Sequence, residues 1–410
     1  MTHPQFARLD QWWVKLTLAG VVAVATLVAL ALGGEFLLRY REAHRAGVPG
    51  TMPFLYYRHG RLGYALIHNR DYFGWAHIDG EGFRGRDVSR IKDPGVARIM
   101  VVGGSTAFDS FVSRDSAAWP ARLEAWLRVL APEQRIEVIN AGVPGYMMID
   151  HVIRLETELF RYKPDVLLLY DAHNDLFAAL RRANVGAPPE ADTPNEVAPV
   201  TPWGYWLDRH SLLYTKMIER WNVFRFERLR PRSSVRGSGA GVKPEDADSG
   251  RFARDVSSFL AVAQALGIRV VLADVVTASG NGGADEPDST MRAVWWHTVP
   301  FAPPGSVLRG YARYRAVLRD AARTFSLPYI ETDGFGLTGP SFYAEDDPIH
   351  FNDAGADRMG HEMAAALLQA GVLPHRGTTT GLQALRATGR SICIFRRDPR
   401  SVPMNPKSRS

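Results

Sequence analysis

Short apolar runs alternate with segments of helical periodicity between about residue 96 and residue 374 of this chain. Several of the runs contain almost no polar residue, which is typical of strands in a parallel sheet that is buried on both faces. Strands and helices that alternate in this way predict a three-layer α/β/α domain. The predicted strands are 98–102, 136–139, 165–170, 268–274 and 328–331, and the predicted helices are 116–130, 151–162, 252–266, 307–325 and 354–370.

Polar and glycine-rich residues follow three of the predicted strands. These segments are 103–105, 140–145 and 172–175. In open parallel sheets, ligands bind beyond the carboxyl ends of the strands. We therefore expect the three segments to meet at one functional site.

The N-terminal region contains an uncharged run of 19 residues, 16–34. As a helix this run would be about 28 Å long, close to the thickness of a hydrocarbon core. Trp12 and Trp13 lie where an aromatic belt would lie. A cleaved signal peptide is the alternative, but its apolar region is usually shorter. We predict a retained transmembrane anchor over 12–38, preceded by a segment 1–11. Basic residues flank the run on both sides, so the positive-inside rule does not set its orientation.

The rest of the chain divides by composition. Residues 39–95 are polar and rich in glycine and aromatic residues, and we predict a juxtamembrane segment that leads into the domain 96–374. An insertion at about 183–250 begins rich in proline and continues into an aromatic, basic piece, for which a lid, a membrane-apposed helix and simple packing all stay open. Residues 375–410 lack apolar periodicity and are predicted to be disordered.

The charge of the chain changes which partners are expected. The formal net charge is +6, but residues 376–410 alone carry a surplus of +7, so the rest of the chain sums to −1. The basic charge therefore belongs to the tail, and without a zinc-finger or RNA-binding motif we expect no nucleic-acid partner. Cys393 is the only cysteine, which excludes an internal disulfide and a zinc site built on cysteines.

Three residues have the types and positions of a nucleophile and its base. Asp347 precedes His350 by three residues in a turn-like stretch, so its carboxylate can fold back onto the imidazole and fix its tautomer. Ser105 follows a strand and two glycines, a position that suits a nucleophile on a sharply turning backbone. The Asn174 amide and the backbone N–H groups of Gly145 and Ser105 would supply three donors to an oxyanion.

Structural roles for the same residues stay open at this stage. Ser105 would also serve as a helix N-cap, and Asn174 as a turn former. A metal site built from Asp346, Asp347, His350 and His173 is a further alternative, although no His-x-x-x-His spacing supports it.

Four blocks of the sequence resemble those of the SGNH (GDSL-type) hydrolase family, and they occur in that family's order. The resemblance covers about residues 96–374 apart from the insertion. It implies a flavodoxin-like fold, a serine esterase or acyl hydrolase activity and no cofactor or metal. It makes Ser105 the nucleophile, Gly145 and Asn174 oxyanion donors, and His350 the base oriented by Asp347. The blocks are Gly103-Gly104-Ser105, Asn140-Ala141-Gly142-Val143-Pro144-Gly145, Ala172-His173-Asn174-Asp175 and Asp347-Pro348-Ile349-His350.

Two residues depart from the family's pattern. Gly104 replaces the usual aspartate of the first block, and Ala172 replaces the usual glycine of the third. Neither change removes a group of the expected triad. We therefore expect a membrane-anchored serine esterase that forms an acyl-enzyme, acts on a cell-envelope ester of a glycan or lipid, and faces the periplasm or the cell exterior. An O-acyltransferase with the same site and a non-enzymatic envelope-binding protein are the alternatives.

Overall fold

The computed structural model describes residues 4–45, 55–184 except 73, twelve single positions between 203 and 221, 248–280, 304–373 except 346, and 392–394. Ten strands lie in these ranges. They are β1 Tyr56–His59, β2 Gly63–Leu66, β3 Arg70–Asp71, β4 His77–Ile78, β5 Val96–Val102, β6 Arg135–Asn140, β7 Val166–Leu169, β8 Arg269–Ala273, β9 Pro328–Ile330 and β10 Ile392–Ile394.

Eight α-helices accompany the strands in the described part of the chain, apart from the single helical positions between 203 and 221. They are α1 Pro4–Arg45, α2 Ser105–Phe108, α3 Trp119–Leu130, α4 Met148–Thr157, α5 His173–Asn184, α6 Gly250–Ala265, α7 Pro304–Phe325 and α8 Asp353–Gln369. Short 3₁₀ turns occur at Asp115–Ala117, Leu159–Tyr162, Asp333–Phe335 and Pro340–Phe342.

A sheet of five parallel strands forms the centre of the domain. The strands lie in the order β6-β5-β7-β8-β9, which is the flavodoxin-like order. Ile99, Leu168 and Val271 are completely buried because helices cover both faces of the sheet. Helix α3 packs against α8, while α6 packs against α4 and α7. This arrangement confirms the predicted α/β class, the parallel sheet and its three layers.

Residues 55–88 form two short hairpins that pack on the domain. β1 pairs with β2 and β3 pairs with β4, both antiparallel. Leu66, Trp75 and Ile78 of these hairpins are buried together with Phe108 of α2 and Tyr146 of the loop after β6. The segment therefore packs directly on the residues that flank Ser105 and Gly145. The pattern of residues 39–95 did not predict this packing.

Arg84 joins the hairpins to the helix that begins at Ser105. Its side chain is almost completely buried and forms an ion pair with Asp115 at 2.8 Å. Its guanidinium also donates hydrogen bonds to the carbonyl oxygens of Trp75, Phe108 and Asp109, at 2.8, 3.1 and 2.7 Å. Since α2 ends at Phe108, these bonds hold the end of that helix in place.

The tail departs in part from its predicted disorder. Ile392–Ile394 form the strand β10, which pairs antiparallel with β9 at the edge of the sheet, with Cys393 opposite Tyr329. The prediction of disorder is therefore wrong for these three residues. A run of β-branched isoleucines around Cys393 suits an edge strand, and it is too short to show periodicity. The rest of 375–410 lies outside the described residues.

Helix α1 is longer than the predicted anchor. It runs over 42 residues, and none of the described residues buries the most apolar stretch within Trp12–Arg41. The helix is long and apolar enough to cross a membrane. An N-terminal signal sequence has a similar length and composition. Residues 39–45, predicted as juxtamembrane, continue this helix.

Candidate active site

Ser105 is the first residue of α2, three residues beyond the end of β5. Gly104 is the N-cap of this helix, so Ser105 does not have the N-cap role that its position also allowed. Its hydroxyl oxygen lies 2.8 Å from His350 Nε2, although the two residues are 245 positions apart. The turn between β5 and α2 therefore presents the hydroxyl to a base from the far end of the domain.

His350 lies between Ser105 and Asp347. Its Nδ1 is 2.7 Å from Asp347 Oδ2, and the ring of Phe111 contacts the imidazole edge to face at 4.8 Å between centroids. The imidazole is thus fixed by a carboxylate, a hydroxyl and an aromatic ring. The structure brings together the three residues that the sequence placed in a triad.

The second oxygen of Asp347 is also fully occupied. Oδ1 accepts the backbone N–H groups of Ile349 at 2.9 Å and His350 at 2.8 Å. Burial by itself would raise the pKa of this carboxyl, but the charge of His350 and the hydrogen bonds to the carboxylate outweigh burial, so the pKa lies below its ordinary value. Asp347 is therefore an anion that stabilises a proton on Nδ1.

The expected oxyanion donors lie on the neighbouring strand ends. Asn174 is in the first turn of α5, so the turn-former alternative does not hold, and its Nδ2 donates to the carbonyl oxygen of Tyr146 at 2.8 Å. That bond uses one amide hydrogen and leaves the second for a ligand. Gly145 has a φ of 85°, a conformation that favours glycine.

The glycine at position 104 has a steric reason. A Cβ placed there would lie 2.6 Å from Asn174 Nδ2 and 3.6 Å from Asp171 Oδ1. A side chain at this position would displace the amide of Asn174. Gly104, which replaces the usual aspartate of the family's first block, therefore leaves room for Asn174 to approach the backbone just before Ser105.

Two tyrosines of the hairpins contact the loop that carries Gly145. The Tyr64 hydroxyl donates to the carbonyl oxygen of Pro144 at 3.0 Å, and the Tyr56 hydroxyl reaches the same oxygen at 3.4 Å. A Cβ on Gly145 would lie 2.4 Å from the Tyr64 hydroxyl. Burial raises the pKa of Tyr64, so its hydroxyl keeps its proton as a donor. No motif in residues 55–88 pointed to these contacts.

A buried histidine and carboxyl lie next to Gly104 and Asn174. His151 Nε2 is 3.0 Å from Asp171 Oδ2, and both side chains are excluded from solvent. Burial raises the pKa of Asp171 and lowers the pKa of His151, which favours the uncharged form of each group. No sequence pattern indicated this pair, because its members are 20 residues apart on different elements.

His173 lies near the triad without joining it. Its Nδ1 is 2.6 Å from the Tyr311 hydroxyl, and burial lowers its pKa to about 3, so the ring is neutral. The described residues contain no group of three or more His, Cys, Asp or Glu side chains that could hold a metal ion. Asp346, which the metal alternative included, lies outside those residues.

Loss of the Asn174 amide is expected to lower turnover. Removal of one oxyanion donor costs about 10²–10³ in kcat in enzymes of this chemistry. We expect Asn174→Ala to show a loss of this size on an activated ester, with little change in KM. The measurement is steady-state kinetics, with folding checked by circular dichroism. Unchanged kcat in the folded variant would exclude Asn174 from the oxyanion hole.

A smaller loss is expected when the Tyr64 hydroxyl is removed. A neutral hydrogen bond contributes about 0.5–1.5 kcal/mol, so Tyr64→Phe should lower kcat roughly twofold to tenfold by loosening Pro144 and the Gly145 N–H. Tyr56→Phe is the matched control, because its longer bond to the same carbonyl should change kcat less than about twofold. Equal kcat for both variants, or a change in KM alone, would contradict a positioning role for Tyr64.

Comparison with known structures shows only distant similarity. An acetyl xylan esterase variant from Geobacillus stearothermophilus has 14% identity and a TM-score of 0.40 over 70% of this chain and 100% of its own. An alpha/beta hydrolase enzyme from the metagenome of Lake Arreo has 16% identity and a TM-score of 0.38 over 68% and 97% of the two chains. A putative acylhydrolase from Bacteroides fragilis has 14% identity and a TM-score of 0.34 over 67% and 86%. No curated relative matches this chain.

Comparison with family models is decisive. The model of the GDSL-like lipase/acylhydrolase family matches residues 101–358, which is more than half of the chain. The match begins in β5, just before Ser105, and ends in α8, just after His350. The chain therefore belongs to the GDSL-like lipase/acylhydrolase family and is an enzyme that hydrolyses ester bonds.

Proposed function

We propose that this enzyme is a membrane-anchored serine ester hydrolase that forms an acyl-enzyme on Ser105. The observation that carries the proposal is the continuous chain of hydrogen-bond contacts from Ser105 Oγ through His350 to Asp347, with distances of 2.8 and 2.7 Å. Both distances lie within the range for proton transfer between a nucleophile and its base.

The first half of the reaction acylates the serine. Ser105 Oγ attacks the ester carbonyl carbon while His350 Nε2 takes the hydroxyl proton, and Asp347 stabilises the imidazolium that forms. The carbonyl oxygen becomes an oxyanion that accepts hydrogen bonds from the N–H groups of Ser105 and Gly145 and from the Asn174 amide. The intermediate then collapses, the C–O bond to the alcohol breaks, and Nε2 returns its proton to the leaving alkoxide.

The second half releases the acyl group. His350 Nε2 takes a proton from water as the water oxygen attacks the acyl-enzyme carbonyl carbon. The second tetrahedral intermediate uses the same three donors, and its collapse breaks the bond to Ser105 Oγ, which regains a proton from Nε2. The products are a carboxylic acid and the free enzyme. An O-acyltransferase would differ only in replacing water with another hydroxyl.

The location of the substrate follows from α1. We propose that this helix is retained as a single membrane span and that the domain 96–374 lies on the periplasmic or extracellular side. An anchored enzyme meets substrates at the membrane and in the layers next to it. The substrate class is therefore an ester of a cell-envelope glycan or lipid. The most apolar stretch within Trp12–Arg41, which none of the described residues buries, supports the span.

Labelling with a fluorophosphonate serine probe tests both parts of the proposal. A probe that does not cross membranes should label the full chain in the membrane of intact spheroplasts, because Ser105 would be activated and outside the cytoplasm. Ser105→Ala should abolish labelling, whereas Ser116→Ala, a change at an exposed serine, should leave it intact.

The pattern of labelling separates the possible failures. Label that appears only after the spheroplasts are lysed would contradict the proposed orientation of the domain. It would still support Ser105 as an activated nucleophile. Label that persists in folded Ser105→Ala would contradict the nucleophile itself.

A further inference from the structure

Part of the insertion 183–250 is attached to helix α1 through Glu35. The described residues of this part are helical on both sides of Ser211. The helical positions are 203, 206, 207 and 210 before it, and 212–214, 216, 217, 220 and 221 after it. Glu35 Oε1 and Oε2 accept the backbone N–H groups of Leu212 at 2.9 Å and Leu213 at 2.8 Å. A carboxylate that accepts the first N–H groups of a helix stabilises its N-terminus.

Further contacts secure the same attachment. The Ser211 hydroxyl donates to Glu35 Oε2 at 3.0 Å, and Arg39 donates to the carbonyl oxygen of His210 at 2.9 Å. A Cβ on Gly34 would lie 3.5 Å from the Leu213 side chain, so the two segments touch at van der Waals distance. The attachment therefore covers residues 34–39 of α1, just beyond its longest uncharged run.

Large apolar side chains on the attached segment face solvent. Trp203, Trp206, Met217 and Trp221 have 77, 52, 62 and 55% of their surface exposed. Trp206 and His210 are four residues apart, and their rings stack at 4.7 Å between centroids, so these two side chains lie on the same side of the segment. On α1 at the same level, Phe36 and Tyr40 are 68 and 57% exposed. Single exposed apolar residues are common on proteins, but a group of tryptophans next to an apolar helix is not.

We propose that the described residues of this segment, which lie between Trp203 and Trp221, form a second membrane contact in the headgroup boundary of the bilayer that α1 spans. The proposal rests on the retained span that is part of the proposed function. It places the exposed tryptophans Trp203 and Trp206 at the lipid surface. The alternatives of a lid and of simple packing are therefore not chosen for these two residues.

The dimensions of α1 favour lipid as the occupant. Trp13 and Phe36 are 23 residues apart, so their rings lie about 35 Å from each other along the helix axis. A hydrocarbon core is about 30 Å thick, so Trp12 and Trp13 lie at one boundary and Phe36 and Tyr40 at the other. The attachment at Glu35 and Arg39 holds the tryptophans of the segment at this second boundary. Tryptophan is enriched there because its ring is apolar and its N–H reaches water.

The charges of the contact fit the same level of the membrane. Glu35 is costly inside hydrocarbon unless it is paired, and here it accepts hydrogen bonds from Arg39, at 2.6 Å, and from the helix N–H groups. Arg220, which is exposed, follows on the segment, where its guanidinium can reach anionic headgroups. The segment contacts α1 at Glu35, directly beside the exposed ring of Phe36.

Nitroxide labels at single cysteines in the full chain, reconstituted into phosphatidylethanolamine/phosphatidylglycerol vesicles, test the proposal. Cys393→Ser removes the native thiol, and labels are then placed by Trp206→Cys or Trp203→Cys. Leu27→Cys gives the reference for the span and Ile91→Cys, at an 82% exposed position, the reference for water. We expect collisions with oxygen to exceed collisions with a water-soluble nickel chelate at positions 27, 203 and 206, and the reverse at 91.

The references separate this proposal from the proposed function. A label at position 206 that behaves like the one at 91, while position 27 is in lipid, overturns the membrane contact and leaves the anchor intact. Shielding of position 206 from both reagents overturns it as well, because it indicates a contact with protein. A label at position 27 that is exposed to the nickel chelate contradicts the anchor, and the membrane contact with it.

A second variant tests the attachment itself. Glu35→Ala removes the acceptor of the Leu212 and Leu213 N–H groups, and we expect the nickel collision rate at position 206 to rise by at least twofold while position 27 does not change. An unchanged collision rate at position 206 would show that Glu35 does not hold the segment in the membrane.

Discussion

Replacement of Ser105 or His350 by alanine is expected to lower kcat on an activated ester by roughly 10⁶, and replacement of both by little more. The precedent for this size is a serine protease triad, in which loss of the serine or the histidine alone costs about as much as loss of all three members. The reason is the 2.8 Å contact between Ser105 Oγ and His350 Nε2. A serine without its base keeps its proton, and a base without its serine has no nucleophile to activate.

Kinetic constants for the two single variants and the double variant measure this dependence. Ser116→Ala and His77→Ala are suitable controls, because both change side chains away from the triad and should keep normal turnover. Circular dichroism and thermal unfolding show whether each variant is folded. Losses from Ser105→Ala and His350→Ala that multiply in the double variant would contradict a shared unit, and full activity in folded Ser105→Ala would end the serine mechanism.

The sheet and most of its helices could be predicted from the sequence, because their signal is local. β7, for example, is a run of four buried apolar residues, Val166–Leu169, and a run of this kind indicates a central parallel strand. The triad was predictable for a related reason. Ser105 follows a strand end, and Asp347 lies within three residues of His350, so the fold needs to bring only two pieces of chain together.

The supporting contacts of the site could not be predicted, because they join distant residues of ordinary type. Tyr64 lies 80 residues before Pro144, and Arg84 contacts Asp109 and Asp115 across 25 and 31 residues. A tyrosine in a weakly periodic segment gives no sign of the carbonyl that it will meet. Helix α5 was missed because Asn174 and Asp175, in its first turn, are residue types that also favour turns.

Asp347→Asn is expected to cost about 10⁴ in kcat, the loss seen for the same change in a comparable triad. The hydrogen bonds of Asp347 explain why a substitution of equal size should be so damaging. Oδ1 accepts two backbone N–H groups, from Ile349 and His350, while Oδ2 faces His350 Nδ1. An asparagine satisfies the backbone donors only with its carbonyl oxygen at the first position, which turns its NH₂ group toward Nδ1.

That orientation imposes the wrong tautomer on the base. An NH₂ donor opposite Nδ1 requires Nδ1 to be the acceptor, so the imidazole proton moves to Nε2, which can no longer accept the proton of Ser105. Because the carboxylate charge is also lost, the imidazolium formed during attack loses its stabilisation. The measurement is kcat on an activated ester for Asp347→Asn, with Asp333→Asn at an exposed position as the control for the change of charge. A folded Asp347→Asn enzyme within tenfold of normal turnover would show that Asp347 does not set the tautomer of His350.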